Sequence, residues 1–217
     1  MESLGNTKIK LDPRLWAAPD PEDFGPRTPT QEEHHIESLQ LRSLARFSDY
    51  AKNVSGSLPE IMSSYKVLQA DCMKMAAILS TIPMTRSAQG IPTTELLPTS
   101  ARRLHSLRLT CYCLLISLAF MSNGVLRRID PSNLALKLES DAFVDESIIV
   151  AHQAAQYRPL GSSAVPICLI SAWVATEDAA RQARLLEVIA GYNSDFTSVN
   201  WLDIAVSLKP MLQLDVA

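Results

Sequence analysis

RPLGSSAVPICLISAWVATED, residues 158–178, holds no charged side chain from Leu160 to Thr176, yet Pro166 stands in its middle. A bilayer, the inside of a helical bundle, or the wall of a pocket can each hold such a run. With Ser162 or Ser163 as N-cap, Pro166 falls in the first turn, where its missing N–H costs nothing. The helix is then about a dozen residues long, well short of the roughly 20 that span a bilayer. The stretch therefore predicts a core helix wrapped by other helices.

Working outward, the run from Arg108 to Arg127 is also uncharged. It interrupts its apolar residues with Thr110, Ser117, Ser122, Asn123 and Gly124, which suits a helix buried in protein better than one in lipid. This third expected helix begins near Thr99. Its seam reads Leu104, Leu107, Cys111, Leu114, Leu118, Met121 and Val125, alternating three and four. The second expected helix has Ser57 as N-cap, Pro59 in the first turn and Glu60 completing a capping box. Its seam is Leu58, Ile61, Tyr65, Leu68, Cys72, Met75, Leu79 and Ile82. A first helix over Gln31–Val54 forms a hairpin with it.

The remaining helices follow from caps and periods. Asp130 as N-cap and Pro131 at the first position open a fourth, running to Tyr157 with Leu136, Phe143, Ser147, Val150 and Ala154 on one face. The sixth spans Asp178–Tyr192, and the seventh runs from Ser198 past Trp201, Ala205 and Leu208. With seven glycines and 6% aromatics in 217 residues, and no strand signal, the expectation is all-α. It is a single-domain bundle of about seven helices around a central apolar helix. Residues 1–30 form an irregular leader rich in proline, which Trp16 and Phe24 can pin down. Residues 31–82 are the hairpin, 83–98 a linker and candidate lid, and 99–213 the core helices.

Charge and cysteine usage exclude several function classes. A net charge of −3 gives no footprint for nucleic acid. Cys72, Cys111, Cys113 and Cys168 lack metal-ligand spacing, so no metal site is expected, and free thiols in apolar surroundings suit a reducing compartment. The start, MESLGNTKIKLDPRLW, has no apolar signal region. No HxxxH, GxSxG or Gly-rich phosphate loop occurs, so hydrolase, kinase and nicotinamide chemistry have no motif.

What remains for chemistry is sparse. Arg102, His105, Arg108 and Tyr112 share a face at helical spacing and lead from a charged end into an apolar middle. His105, Arg108 and Tyr112 are the candidate catalytic donors, with Phe120, Met121, His152 and Trp173 as ligand-binding walls. The plainer reading is a solvated end turn whose arginine stems cover the core edge, and a packing role for His152.

The order YRPLG, P..L..AW.AT.D and L..L..Y..DF....W...A..L resembles the C-terminal part of the regulatory domain of fungal Zn2Cys6 transcription factors. It is carried by Tyr157–Gly161, Pro166, Ala172, Trp173, Thr176, Asp178, Tyr192, Asp195, Phe196, Trp201 and Ala205. LHSLRLTCYCLLISLAFMSNGVLRRIDP is similar to the helix upstream in that family. The family's cysteine cluster and basic linker do not occur here: no Cys precedes Cys72, so no DNA-reading zinc cluster forms. The resemblance implies a stand-alone effector domain that binds an apolar small molecule. The expected function is a cofactor-independent cyclase of Diels–Alder or other pericyclic type in fungal secondary-metabolite assembly, working by shape and orientation. The alternative is a truncated transcription-factor-like regulator with a protein partner or self-association. A remnant of a larger gene is the third, less favoured because the chain reads as complete in its helices. The expected place is the cytoplasm without membrane contact, or the nucleus for a regulator. A closed apolar pocket would favour the enzyme, and an exposed apolar patch the binding module.

Overall fold

The computed structural model describes residues 36–40, 43, 44, 46, 57–82, 85, 86, 92–94, 97–195 and 199–212. These belong to one compact unit, Ile36–Ala217; the leader lies outside the described residues. Among the described residues, six α-helices with defined bounds carry the fold: α1 Leu58–Ser80, α2 Thr99–Ile129, α3 Leu134–Ala154, α4 Val165–Ala175, α5 Ala179–Asn193 and α6 Trp201–Leu212. The protein is all-α, apart from a ribbon of two-residue strands, β1 Thr85–Arg86 and β2 Pro92–Thr93, paired antiparallel with Thr85 opposite Thr93. That ribbon lies in the linker, where no strand is expected from sequence.

Most of the expected first helix falls outside the described residues. What is described there is a 3-10 turn, Glu37–Leu39, then Gln40 in extended conformation, then helical residues at 43, 44 and 46, with Leu44 N–H donating to Gln40 O at 3.0 Å, so no single helix runs through Gln40. Ser38 N–H donates to Asp71 Oδ2 of α1 at 2.8 Å, tying the turn down.

α1 buries Ile61, Tyr65, Leu68, Cys72, Met75 and Leu79, the seam its spacing predicts. Ser57 is its N-cap, but no side-chain capping bond forms, so the capping box is corrected to a plain start with Pro59 in the first turn. α3 starts later than expected. Asp130 instead closes α2, and Asn133 caps α3 by accepting from Leu136 N–H at 3.3 Å. A one-turn shift follows from the competing acceptor: Asp130 Oδ1 is already taken by the Ser132 hydroxyl. α3 ends at Ala154 and continues as a 3-10 turn to Tyr157. α4 has Pro166 in its first turn but Ala164, not a serine, as N-cap. Asp178 caps α5 as the sequence predicts, accepting from Arg181 N–H at 2.8 Å. α6 begins at Trp201 rather than Ser198.

α2 packs against α1, α3 and α4. By length and composition it is long and apolar enough to cross a membrane, but 61% of its most apolar window is buried inside the bundle. Its inward face is not the expected seam. Leu109, Tyr112, Cys113, Leu115, Ile116, Ala119, Phe120, Asn123 and Leu126 face the core. Leu104, Leu107, Leu114 and Met121 are instead exposed by 46, 59, 39 and 44%. The reason is hydrogen bonding: Asn123, Tyr112, Ser117 and the Nδ1 side of His105 on the buried face each find a partner, as described below, which lowers the cost of desolvating that face.

This register makes a prediction. Ile116 is wholly buried and its neighbour Leu114 is not. Ile116→Ala is expected to cost about 2–5 kcal/mol of unfolding free energy, and Leu114→Ala less than about 1 kcal/mol. Denaturant unfolding of both variants, with the costs reversed, would refute the register.

Candidate functional site

A groove of about 530 Å³ opens at the amino end of α2. Thr99, Arg102, Arg103, Ser106, Leu107 and Thr110 form one wall, and Tyr157, Leu160 and Gly161 the other. The second wall exists because the chain turns sharply after α3. Arg158 anchors that turn: its Nε and Nη2 donate to both oxygens of Asp195 at 2.6 Å, its Nη2 also reaches Gly191 O, and its guanidinium lies 4.9 Å from the Tyr192 ring centre. Gly161 is required for the close approach. A Cβ there would meet Tyr157 Cβ at 2.7 Å and Ser106 Oγ at 2.8 Å.

Beneath the groove a directed hydrogen-bond chain can be read from the donors available. Gln156 Nε2 donates to Gln153 O at 2.8 Å, so Oε1 faces Thr94 and accepts from both its N–H and its hydroxyl, each at 2.8 Å. The Thr94 hydroxyl proton is thereby used. The contact of 2.6 Å between Thr94 Oγ1 and Tyr157 Oη must then carry the tyrosine's proton. Tyr157 Oη in turn accepts from His105 Nδ1–H at 2.7 Å. This assigns the Nδ1–H tautomer, and leaves Nε2 as a buried lone pair without a partner. Burial first, then Arg108, lowers the His105 pKa, so the ring is neutral. Thr94 is buried, and this fixes the carboxyl end of the linker.

Two further hydroxyls of the groove are also committed. Ser106 donates to Gly161 O at 3.0 Å and Thr110 to Ser106 O at 3.1 Å. Arg102 and Arg103 have no ion pair among the described residues, so their guanidiniums are the strong donors left to face a ligand. The walls beside them are Leu107 and Leu160, the latter 82% exposed.

The seven residues singled out from sequence do not meet in one cavity, and none lines this groove. His105, Tyr112 and Phe120 are in the core. Tyr112 Oη donates to Glu146 Oε1 at 3.1 Å, its phenol pKa raised by burial and then by Glu146. Phe120 stacks edge-on to Phe143 with centroids 6.0 Å apart. Arg108 is half-buried, Met121 and His152 are exposed, and Trp173 is half-buried under Lys209, whose Nζ lies 4.9 Å from the ring centre. Of the strip Arg102, His105, Arg108 and Tyr112, only Arg102 reaches the groove. Tyr157, Leu160 and Gly161 were legible as a turn within RPLG but carried no chemical signal.

Cys72 and Cys168 are buried thiols poorly suited to act as nucleophiles. Burial pushes Cys72 up to about 12, and Cys168 is raised well above its ordinary value by a hydrogen bond with Cys113 and then by burial. Among the described residues no cluster of three His, Cys, Asp or Glu could hold a metal ion.

Comparison of the chain with protein-family models, curated proteins and solved structures returns no match.

A lowered His105 pKa carries a pH signature. Because the folded value lies below the unfolded one, the contribution to stability is full above about pH 6.5 and is lost as pH falls through the folded value. Unfolding free energy is therefore expected to begin to fall as pH drops below about 7.5. His105→Asn, which keeps an N–H for Tyr157, should flatten that limb. An unchanged slope in the variant would assign the titration elsewhere.

Proposed function

We propose that the protein binds an apolar small molecule bearing a carboxylate or carbonyl end, in the groove between the start of α2 and the Tyr157–Gly161 turn. The observation that carries this is the donor inventory. The groove's serine, its tyrosine and Thr110 spend their protons within the protein, which leaves Arg102 and Arg103, with the smaller Thr99 hydroxyl, for a ligand's oxygen atoms beside the apolar walls of Leu107 and Leu160. A volume of about 530 Å³ suits a drug-sized ligand. The head group would be held by charge-assisted hydrogen bonds and the body by desolvation of leucine.

Cofactor-independent cyclisation is the catalytic form of this reading. Arginine donors polarise a carbonyl, and the apolar walls fold an unsaturated chain into reactive geometry. The resemblance to effector domains of fungal Zn2Cys6 regulators is a second support, since a domain of that kind would hold a small effector. The structure's openness at Leu160 favours binding over turnover, because catalysis asks for a site that excludes water.

A fluorescent polyene carboxylate, cis-parinaric acid, tests the reading. Its emission is expected to rise on binding. Arg102→Gln with Arg103→Gln should weaken affinity by about tenfold or more, and the methyl ester should bind the native protein more weakly than the acid. Affinity unaffected by loss of both arginines would remove the proposal. Conversion of a linear polyene ketone to a ring isomer of equal mass, slowed in the same variant, would separate catalysis from simple binding.

A further inference from the structure

α2 presents two heptad rows on opposite sides. Leu109, Ile116 and Asn123 repeat every seven residues and are buried to within 1%. Leu104, Leu107, Cys111, Leu114, Leu118, Met121 and Val125 run along the other side, alternating three and four. Four of these are exposed, and Cys111, Leu118 and Val125 only half-buried. A row of that spacing is what one helix offers to another laid along it.

The flank is built for close approach. Gly124 sits beside Met121 and Val125, and a Cβ there would meet nothing within 4 Å. A glycine inside a helix is less favourable than alanine there. The bundle makes no use of this one, since the space its missing side chain leaves is open.

Charge decides the occupant. From Thr99 to Ile129 the helix carries Arg102, Arg103, Arg108, Arg127 and Arg128 and no acid. Arg127 is engaged, donating to Ala175 O at 3.2 Å and lying 3.7 Å from Glu177. Arg102, Arg103 and Arg108 have no ion pair among the described residues. Arg128 continues the outward row, and its Nη2 is buried without a hydrogen-bond partner. The row is thus apolar in the middle and cationic at both ends. A second copy of the chain would set arginine against arginine in either orientation. An anionic lipid surface would favour cations along both margins, whereas here they cluster at the ends and the margin between is Thr110, Ser117 and Gly124.

We propose that the outer face of α2 is a docking seam for a partner's amphipathic helix with an apolar heptad stripe and acidic ends. The partner's leucines would fill the spaces between Leu107, Leu114 and Met121, its backbone would pass over Gly124, and its terminal carboxylates would meet Arg103 at one end and Arg128 at the other.

The probe is a synthetic leucine-heptad peptide about as long as the seam with glutamates clustered at each end, titrated into the full chain and followed by fluorescence anisotropy. The glutamate-ended peptide is expected to bind at least about tenfold more tightly than a lysine-ended twin. Leu114→Glu and Met121→Glu should each weaken it by about tenfold or more while circular dichroism stays unchanged. Gly124→Leu separates docking from folding: it should weaken the peptide while leaving the unfolding midpoint equal or higher. Equal binding of both peptides, or no binding of either, overturns the proposal. So does affinity for phosphatidylserine vesicles without affinity for the peptide, or dimerisation of the free chain that Leu114→Glu abolishes.

Discussion

Asn123 must be satisfied for α2 to turn the face it does toward the core, and the bundle depends on that. The residue is 1% exposed, and leaving its amide unpaired there would cost about 1–3 kcal/mol. Its Nδ2 donates to Tyr65 Oη of α1 and to Leu136 O of α3, both at 2.9 Å. Tyr65 Oη in turn donates to Glu139 Oε2 of α3, also at 2.9 Å. Three helices are thus fixed in rotation by one amide and one phenol. Further along α2 the same logic repeats, with Tyr112 on Glu146, Ser117 on Cys113 O and His105 on Tyr157. Each pairing removes a penalty that would otherwise favour turning the leucine-rich side inward.

That is why periodicity was a good guide for α1 and a poor one for α2. On α1 one apolar row exists, and it is the buried one. On α2 two rows satisfy the helical period. The outward row is the more hydrophobic by composition, with four leucines, a methionine and a valine, and simple patterning selects it. The choice is reversed by partners on other helices, such as Tyr65, Leu136 and Tyr157. These lie 58, 13 and 52 residues away in sequence, beyond the reach of any local pattern. Caps show the same division. Asp178 caps α5 where the sequence places it, whereas Asp130 and Asn133 compete within one turn and local hydrogen bonding decides between them.

The candidate site was legible only as a region. Arginine and histidine at the start of the uncharged helix marked the end of the bundle where polar chemistry gathers. Sequence could not show that His105 is buried while Arg102, on the same face one turn nearer the start of α2, stands at the rim, because where the neighbouring helices stop covering that face is not a local property. Nor could it supply the opposite wall. Tyr157, Leu160 and Gly161 enter the groove because Arg158 holds their turn against Asp195 and Tyr192, a contact across more than thirty residues.

The two proposed surfaces meet at the amino end of α2, and their shared residues constrain how they would work together. Leu107 is a wall of the groove and a member of the outward heptad row, while Arg102 and Arg103 stand at the ends of both. A ligand carboxylate and an acidic helix end would seek the same guanidiniums, and each would lower the field available to the other. Occupancy of one site should therefore oppose occupancy of the other, and by linkage the factor is the same in both directions. Cooperation would require the opposite geometry, in which the docked helix closes the groove over Leu160 without reaching the arginines. The positions of the charges argue against it: Arg103 is exposed on the seam side while Leu160 lies on the far wall. A helix long enough to reach from Arg128 to Arg103 meets the cations before it can shelter the leucine.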